Sequence, residues 1–219
     1  MIFQDRQEAG RALAEVLRAE AHLPDAIVLA LPRGGVPVAF EVARELRLPL
    51  DVLVVRKLGV PGEEELALGA VAGSGVVVVS AEIARAFAIR QEQIDAMVTR
   101  ERREIERREA LYRGGRAVLD VRGRPAILVD DGLATGSTMM AAVRSLRPLA
   151  ARIVVAVPVG SRGACAELRR EADEVVCLSA PEPFHAVGEF YKDFGQTSDA
   201  EVTELLAKAR DPDPLPLIN

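Results

Sequence analysis

Two adjacent carboxylates, Asp130 and Asp131, close an apolar run, Ala126–Val129, and lead into the small-residue stretch Gly132–Thr138 (GLATGST). Such a stretch between a strand and a helix can wrap an anion. Gly136 permits close backbone approach, successive N–H groups turn inward, and the following helix presents its positive end. Thr135, Ser137 and Thr138 add hydroxyl donors, so a phosphate is the natural occupant. There is no lysine before Thr138 to complete GxxxxGK[ST], no GxGxxG, and the acids are adjacent rather than spaced as DxDxT. Two acids beside an anion loop suit a ligand with a phosphate at one end and vicinal hydroxyls at the other, and ribose 5-phosphate has that layout.

The segment Val129–Thr138 (VDDGLATGST) resembles the phosphoribosyl-pyrophosphate motif of the type I phosphoribosyltransferases. The resemblance implies that Asp130 and Asp131 face the ribose hydroxyls. It also implies that Gly132, Leu133, Ala134, Thr135, Gly136, Ser137 and Thr138 surround the 5-phosphate. Two further segments are similar to the same family. Leu31–Val38 (LPRGGVPV) carries Pro32, Arg33, Gly34 and Gly35 and resembles the pyrophosphate loop, with an implied cis peptide at Pro32–Arg33. Val55–Gly69 (VRKLGVPGEEELALG) resembles the mobile catalytic loop. There Arg56 would meet the pyrophosphate bidentately and Lys57 would set a compact charge against the leaving group. Read alone, RGG after a strand is also a helix N-terminus with a flexible entry, and Arg56-Lys57 is also a pair of surface cations.

The resemblance implies a single phosphoribosyltransferase-like domain over 1–219, with an insertion near 57–115 and a hood near 180–198. The implied reaction moves the ribose 5-phosphate group of phosphoribosyl pyrophosphate to a nitrogenous base or similar acceptor and releases pyrophosphate. Mg²⁺ is the implied cofactor, held mainly by the substrate near Asp130 and Asp131, with no His or Cys ligand. The acceptor would sit under the hood, whose segment Ala180–Gln196 contains Phe184, His185, Phe190, Tyr191 and Phe194. Four of the chain's eight aromatics fall there. They could stack on a flat heterocycle or form a small satellite core under a loop. An acid two residues before the loop glycine, the base of hypoxanthine-guanine enzymes, is replaced by Ala134. Glu63, Glu64 and Glu65 are further proton-transfer candidates. Two other readings stand beside this one: a non-catalytic sensor of phosphoribosyl pyrophosphate or a nucleotide on the same scaffold, and phosphoryl transfer at the acid pair. The family resemblance also implies a homodimer.

These residues need elements to hold them. Ala26–Leu31, Asp51–Val55, Ala126–Val129, Ile153–Val157 and Glu174–Leu178 are Val/Ile/Leu-rich runs, as strands buried on both faces are. They alternate with helical patterns, beginning after Gly35, Gly136 and Ser161 and running through Asp199–Arg210 with Asp199 as N-cap. The expected class is α/β, a mostly parallel sheet flanked by helices. The middle breaks the rhythm. Leu66–Val71 and Val76–Val79 around Gly73-Ser74-Gly75 predict an antiparallel hairpin. Ala81–Tyr112 predicts one or two charge-dense helices, solvated and laced with pairs such as Glu104–Arg108. The tail 211–219 has three prolines and is expected to be loose or draped over the surface.

Composition narrows the partners. The chain has 219 residues with 49% hydrophobic and 28% charged side chains, enough for a proper core. Its net charge of −5 leaves no cation excess for a nucleic-acid backbone. Cys165 and Cys177 form no CxxC pair, so neither a disulfide framework nor a zinc site is indicated. The first residues lack a signal-peptide pattern and read as an amphipathic helix, and no apolar window is long enough to span a bilayer. The expected setting is the reducing cytoplasm, with small-molecule substrates and neither nucleic acid nor membrane as partner.

Overall fold

The computed structural model describes residues 1–20, 25–73 and 75–210. In chain order the first half runs α1 (Arg6–Glu20), β1 (Ile27–Ala30), α2 (Gly35–Leu46), β2 (Leu50–Val52), β3 (Val55–Val60), β4 (Glu63–Ala72), β5 (Val77–Val79), α3 (Ala81–Ala86) and α4 (Gln91–Arg113). The second half runs β6 (Pro125–Val129), α5 (Ser137–Leu146), β7 (Arg152–Val159), α6 (Arg162–Leu168), β8 (Glu174–Ser179), a 3₁₀ turn at Val187–Phe190 and α7 (Asp199–Arg210). The tail 211–219 and Ser74 of the expected turn lie outside the described residues.

β2, β1, β6, β7 and β8 form a five-stranded parallel sheet in that spatial order. The α/β expectation holds. Strand residues alternate between its faces: Val28, Ala30, Ile127, Val129, Val154 and Ala156 pack with α1, α2 and α7, whereas Ile27, Leu29, Leu128, Ile153 and Val155 pack with α5 and α6. Apolar burial on both sides is why these runs carry no polar alternation.

The expected strand Asp51–Val55 is instead two strands. β2 ends at Val52, and β3 starts a second, antiparallel sheet, β3-β4-β5. Arg56 and Lys57 therefore lie within β3 rather than at the end of a parallel strand. Pro61-Gly62 turns the chain, with Gly62 at φ +86°, so the expected hairpin becomes a three-stranded unit. α3 and α4 are the two helices expected after it, and Arg108 meets Glu104 at 2.6 Å. The α4 helix is not simply a solvated rod, because Ile94, Val98, Ile105, Tyr112 and Arg113 are buried. Its C-terminus is tied to β2, where Arg113 Nε donates to Asp51 Oδ1 at 3.0 Å and Arg113 also donates to the Val52 carbonyl at 2.9 Å. The cap of α7 is Ser198 rather than Asp199, since Ser198 Oγ accepts the Glu201 N–H at 3.1 Å.

Candidate active site

β1 lies inside the sheet, with β2 on one side and β6 on the other. The chain leaves β1 into α2 on one face and leaves β6 into α5 on the opposite face. The helices after β1 and β6 thus part to opposite faces at a switch point, where open α/β sheets leave a crevice at the strand carboxyl ends. The two loops are Leu31–Gly34 and Asp130–Gly136. They touch where a side chain could not fit: a Cβ on Gly34 would stand 2.1 Å from Asp131 Oδ2, and one on Gly35 would stand 2.7 Å from the Val129 carbonyl oxygen. Both glycines are required by approach. The Pro32–Arg33 peptide is cis, at the position the resemblance implies.

Asp130 and Asp131 are half-buried side by side, and Asp130 Oδ1 accepts the Asp131 N–H at 2.9 Å. Burial, then the neighbouring Asp131 charge, pushes the Asp130 carboxyl well above the usual Asp value. Burial also raises Asp131, against the opposing pull of Arg6. Arg6 Nε donates to Asp131 Oδ2 at 2.9 Å, its guanidinium also donates to the Gly195 carbonyl at 2.7 Å, and it lies 4.0 Å from the centre of the Phe194 ring. The Tyr191 hydroxyl donates to the Asp131 carbonyl at 2.6 Å. Arg6 and Tyr191 thereby clamp Asp131 from the hood side.

In the following loop Gly136 adopts φ +73°, the left-handed conformation that lets the backbone turn into α5. Ala134, Thr135, Ser137 and Thr138 are exposed, whereas Leu133 is buried and anchors the loop. The Leu133 N–H donates to the Val159 carbonyl at 2.9 Å, and the Ser161 hydroxyl donates to the Ala134 carbonyl at 2.7 Å. The β7–α6 turn thus fixes the loop from behind and leaves its hydroxyls facing outward.

The sequence-derived cations divide. Lys57 shares a cavity of about 500 Å³ with Thr135, Gly136 and Ser137, placed between the β3–β5 sheet and α5. Arg56 is turned to α4, where its Nε donates to Glu101 Oε2 at 2.8 Å, and Arg100 takes the other Glu101 oxygen at 2.9 Å. Arg33 reaches toward α7, with Nη1 3.8 Å from Asp199 Oδ1, the same oxygen that accepts the Tyr112 hydroxyl at 2.9 Å. Burial, then that hydrogen bond, pushes the Tyr112 pKa up to about 12.

The hood aromatics form the satellite core. Phe184 stacks on Phe190 at 5.3 Å and Tyr191 on Phe194 at 5.0 Å, with Phe3 at 5.8 Å from Tyr191. Phe3 and Tyr191 are buried, Phe194 is 37% exposed, and His185 is exposed. The hood also borrows the N-terminus: the Phe3 N–H donates to the Phe190 carbonyl and the Lys192 N–H to the Phe3 carbonyl, each at 2.9 Å. Arg6 is thus a site residue with no local sequence signal, because its partners lie more than a hundred positions away. Of the acidic candidates, Glu63 is exposed and the Glu64 and Glu65 side chains lie outside the described part. Among the described residues no group of three or more His, Cys, Asp and Glu could hold a metal by itself, and no helix is long and apolar enough to cross a membrane.

The comparisons agree on one family. The model of the phosphoribosyl transferase domain matches residues 3–194. Two proteins, from Mycobacterium tuberculosis strains CDC 1551 / Oshkosh and ATCC 25618 / H37Rv, each bear the name "Putative phosphoribosyl transferase". Each is 47% identical over 209 residues, 95% of this chain and 47% of its own length. The chain therefore spans about half the length of these curated relatives. The crystal structure of TT1426 from Thermus thermophilus superposes with a TM-score of 0.87 at 44% identity, covering 95% of this chain and 99% of that one. The loops converging at the switch point lie within the matched region, and the chain belongs to the phosphoribosyl transferase family.

Proposed function

We propose that the chain is a Mg²⁺-dependent transferase that moves the ribose 5-phosphate group of phosphoribosyl pyrophosphate to a nitrogenous acceptor, releasing pyrophosphate. The observation that carries this reading is the meeting of the β1 and β6 loops: a paired-acid strand end, a hydroxyl-bearing anion loop and a two-glycine turn come together at the carboxyl ends of the parallel strands.

The backbone N–H groups of the 132–138 loop and the outward hydroxyls of Thr135, Ser137 and Thr138 bind the 5-phosphate, helped by the positive end of α5. Asp130 and Asp131 accept hydrogen bonds from the ribose hydroxyls, which offset the burial that raises both carboxyls. Arg6 and Tyr191 keep Asp131 oriented. On the other side, the α2 N-terminus at Gly34-Gly35 and the Arg33 side chain bind the pyrophosphate. As the bond to C1 breaks, negative charge gathers on the pyrophosphate, and Lys57, which opens onto the cavity it shares with the loop, stabilises that charge. Arg56, held by Glu101, serves the anchoring of α4 to β3 in this arrangement. The oxygen-only Asp130–Asp131 pair fits Mg²⁺, which when bound would neutralise charge on the pyrophosphate.

Incubation with phosphoribosyl pyrophosphate, Mg²⁺ and a panel of bases and small amines should release pyrophosphate with at least one acceptor. Asp131→Asn should lower that release by on the order of 10²-fold, with the circular dichroism spectrum unchanged. Tight calorimetric binding of phosphoribosyl pyrophosphate with no turnover across the panel would make the protein a sensor instead.

A further inference from the structure

The two cysteines, unrelated in sequence spacing, meet in the fold. Cys165 lies on α6 and is buried, while Cys177 lies on β8 and is half-buried. Both sulfurs press on one point beside Gly160: a Cβ there would stand 2.8 Å from Cys165 Sγ and 3.4 Å from Cys177 Sγ. The Cys177 thiol donates to the Ser179 carbonyl at 3.2 Å. The neighbouring Cys177 thiol, against burial, lowers the Cys165 pKa, while the same contact and burial raise that of Cys177, so the first proton leaves from Cys165.

This contact is the back of the anion loop. Gly160 bridges to Leu133, and the Ser161 N–H donates to the Leu133 carbonyl at 2.8 Å. Ser161 Oγ holds the Ala134 carbonyl and also caps α6 by accepting the Ala164 N–H at 3.2 Å. Ala164 in turn packs under Gly136, whose added Cβ would meet the Ala164 Cβ at 3.1 Å. A displacement of α6 toward β8 therefore pulls on both ends of the 133–136 segment.

We propose that Cys165 and Cys177 are a peroxide-oxidised dithiol whose closure to a disulfide loosens the 132–138 loop. Assigning that loop to a 5-phosphate rests on the function proposed above, but the dithiol does not. In the chemistry, the thiolate electron pair of the singly ionised dithiol attacks one oxygen of hydrogen peroxide. The O–O bond breaks, and the departing hydroxide takes up a proton to leave as water. The resulting sulfenic acid is then attacked by the neighbouring sulfur: the S–S bond forms, the S–O bond breaks, and the hydroxide leaves as a second water with the remaining thiol proton. Two thiols are oxidised by two electrons and one peroxide is reduced to two waters. A disulfide holds its sulfurs at about 2.05 Å, well inside hydrogen-bonded thiols. The bare Gly160 leaves room for that approach, which draws α6 toward β8. Peroxide reaches the Cys165 thiolate from the half-buried Cys177 side, and Cys177 is the sulfur that then attacks the sulfenic acid.

The test uses the full reduced chain and hydrogen peroxide, with no phosphoribosyl ligand. The expected result is a mass loss of about 2 Da, with a Cys165–Cys177 cross-linked peptide in the digest, reversed by dithiothreitol. Hydrogen exchange in the 132–138 segment should rise several-fold on oxidation and return on reduction. Cys165→Ser and Cys177→Ser should each give a dimedone-trapped sulfenic acid or no reaction, and no change in loop exchange. Persistence of both thiols, or oxygen adducts without the cross-link, would overturn the site, and a cross-link that leaves loop exchange unchanged would overturn the coupling. Pyrophosphate release is assayed separately, so its failure would count against the transferase reading while the mass and exchange readouts still decide this one.

Discussion

At Asp130 the demands of binding and of folding oppose each other. Its carboxyl sits where burial and the Asp131 charge hold its pKa well above the ordinary Asp value. Between the unfolded value of about 3.9 and that raised value, the native state keeps a proton that the unfolded chain has released, so stability falls as pH rises through the window. Asp130→Asn removes this term. The variant should be more stable than the parent at neutral pH, with an advantage that disappears below about pH 4 where both carboxyls are protonated, while pyrophosphate release is lost. Urea denaturation at the two pH values checks this, and a less stable variant at neutral pH would show that the carboxylate's hydrogen bonds outweigh its desolvation. The acid pair was legible in the sequence because the two residues are adjacent and followed by a loop of recognisable composition. Arg6 was not: it reaches Asp131 and Gly195 across the fold, and side-chain pairs joined only by tertiary structure leave no spacing to read.

Among the elements, α7 moves the cap that the sequence reading gave to Asp199 onto Ser198 and leaves Asp199 a different job. Ser198 satisfies the first turn, so Ser198→Ala should cost about 1 kcal/mol in denaturant unfolding. Asp199 instead joins α4, α7 and the loop after β1 through Tyr112 and Arg33. Asp199→Ala should therefore move the Tyr112 pKa down from about 12 toward the ordinary tyrosine value, as read by ultraviolet titration of the tyrosinate. Loss of the hydrogen bond and of the Asp199 charge both act in that direction. An unmoved titration would show that burial alone sets it. The five parallel strands were legible because burial on both faces forces runs of Val, Ile and Leu. β3 was not, since VRKLGV places two cations and a glycine in a strand that pairs only with β4. Its register shifts at Gly59 blur the alternation that would have marked it.

For the whole molecule, the joint that matters is between the parallel sheet and the 55–113 insertion. Arg113 and Asp51 are each less than a tenth exposed, and Asp51 also accepts the Leu119 N–H at 3.0 Å. Among the described residues, removing Arg113 leaves the buried Asp51 carboxylate only the longer contact to Arg210, at 3.6 Å, as its counter-charge. Arg113→Ala should cost about 3–5 kcal/mol, and replacing both residues by apolar ones of similar volume should recover much of it. Equal losses in the single and double variants would place the energy in the backbone contacts instead. The sequence announced that an insertion exists, through its break in rhythm, but not how it docks, because Asp51 and Arg113 are read as an ordinary strand acid and an ordinary helix cation. One further consequence follows from which residues are aromatic. The chain has no tryptophan and two tyrosines. Tyr191 donates to the Asp131 backbone, and Tyr112 shares Asp199 with Arg33. Every strong near-ultraviolet chromophore in the protein is therefore wired to one side of the crevice or the other, and the native emission of the unlabelled chain is an optical gauge of whether that crevice is filled.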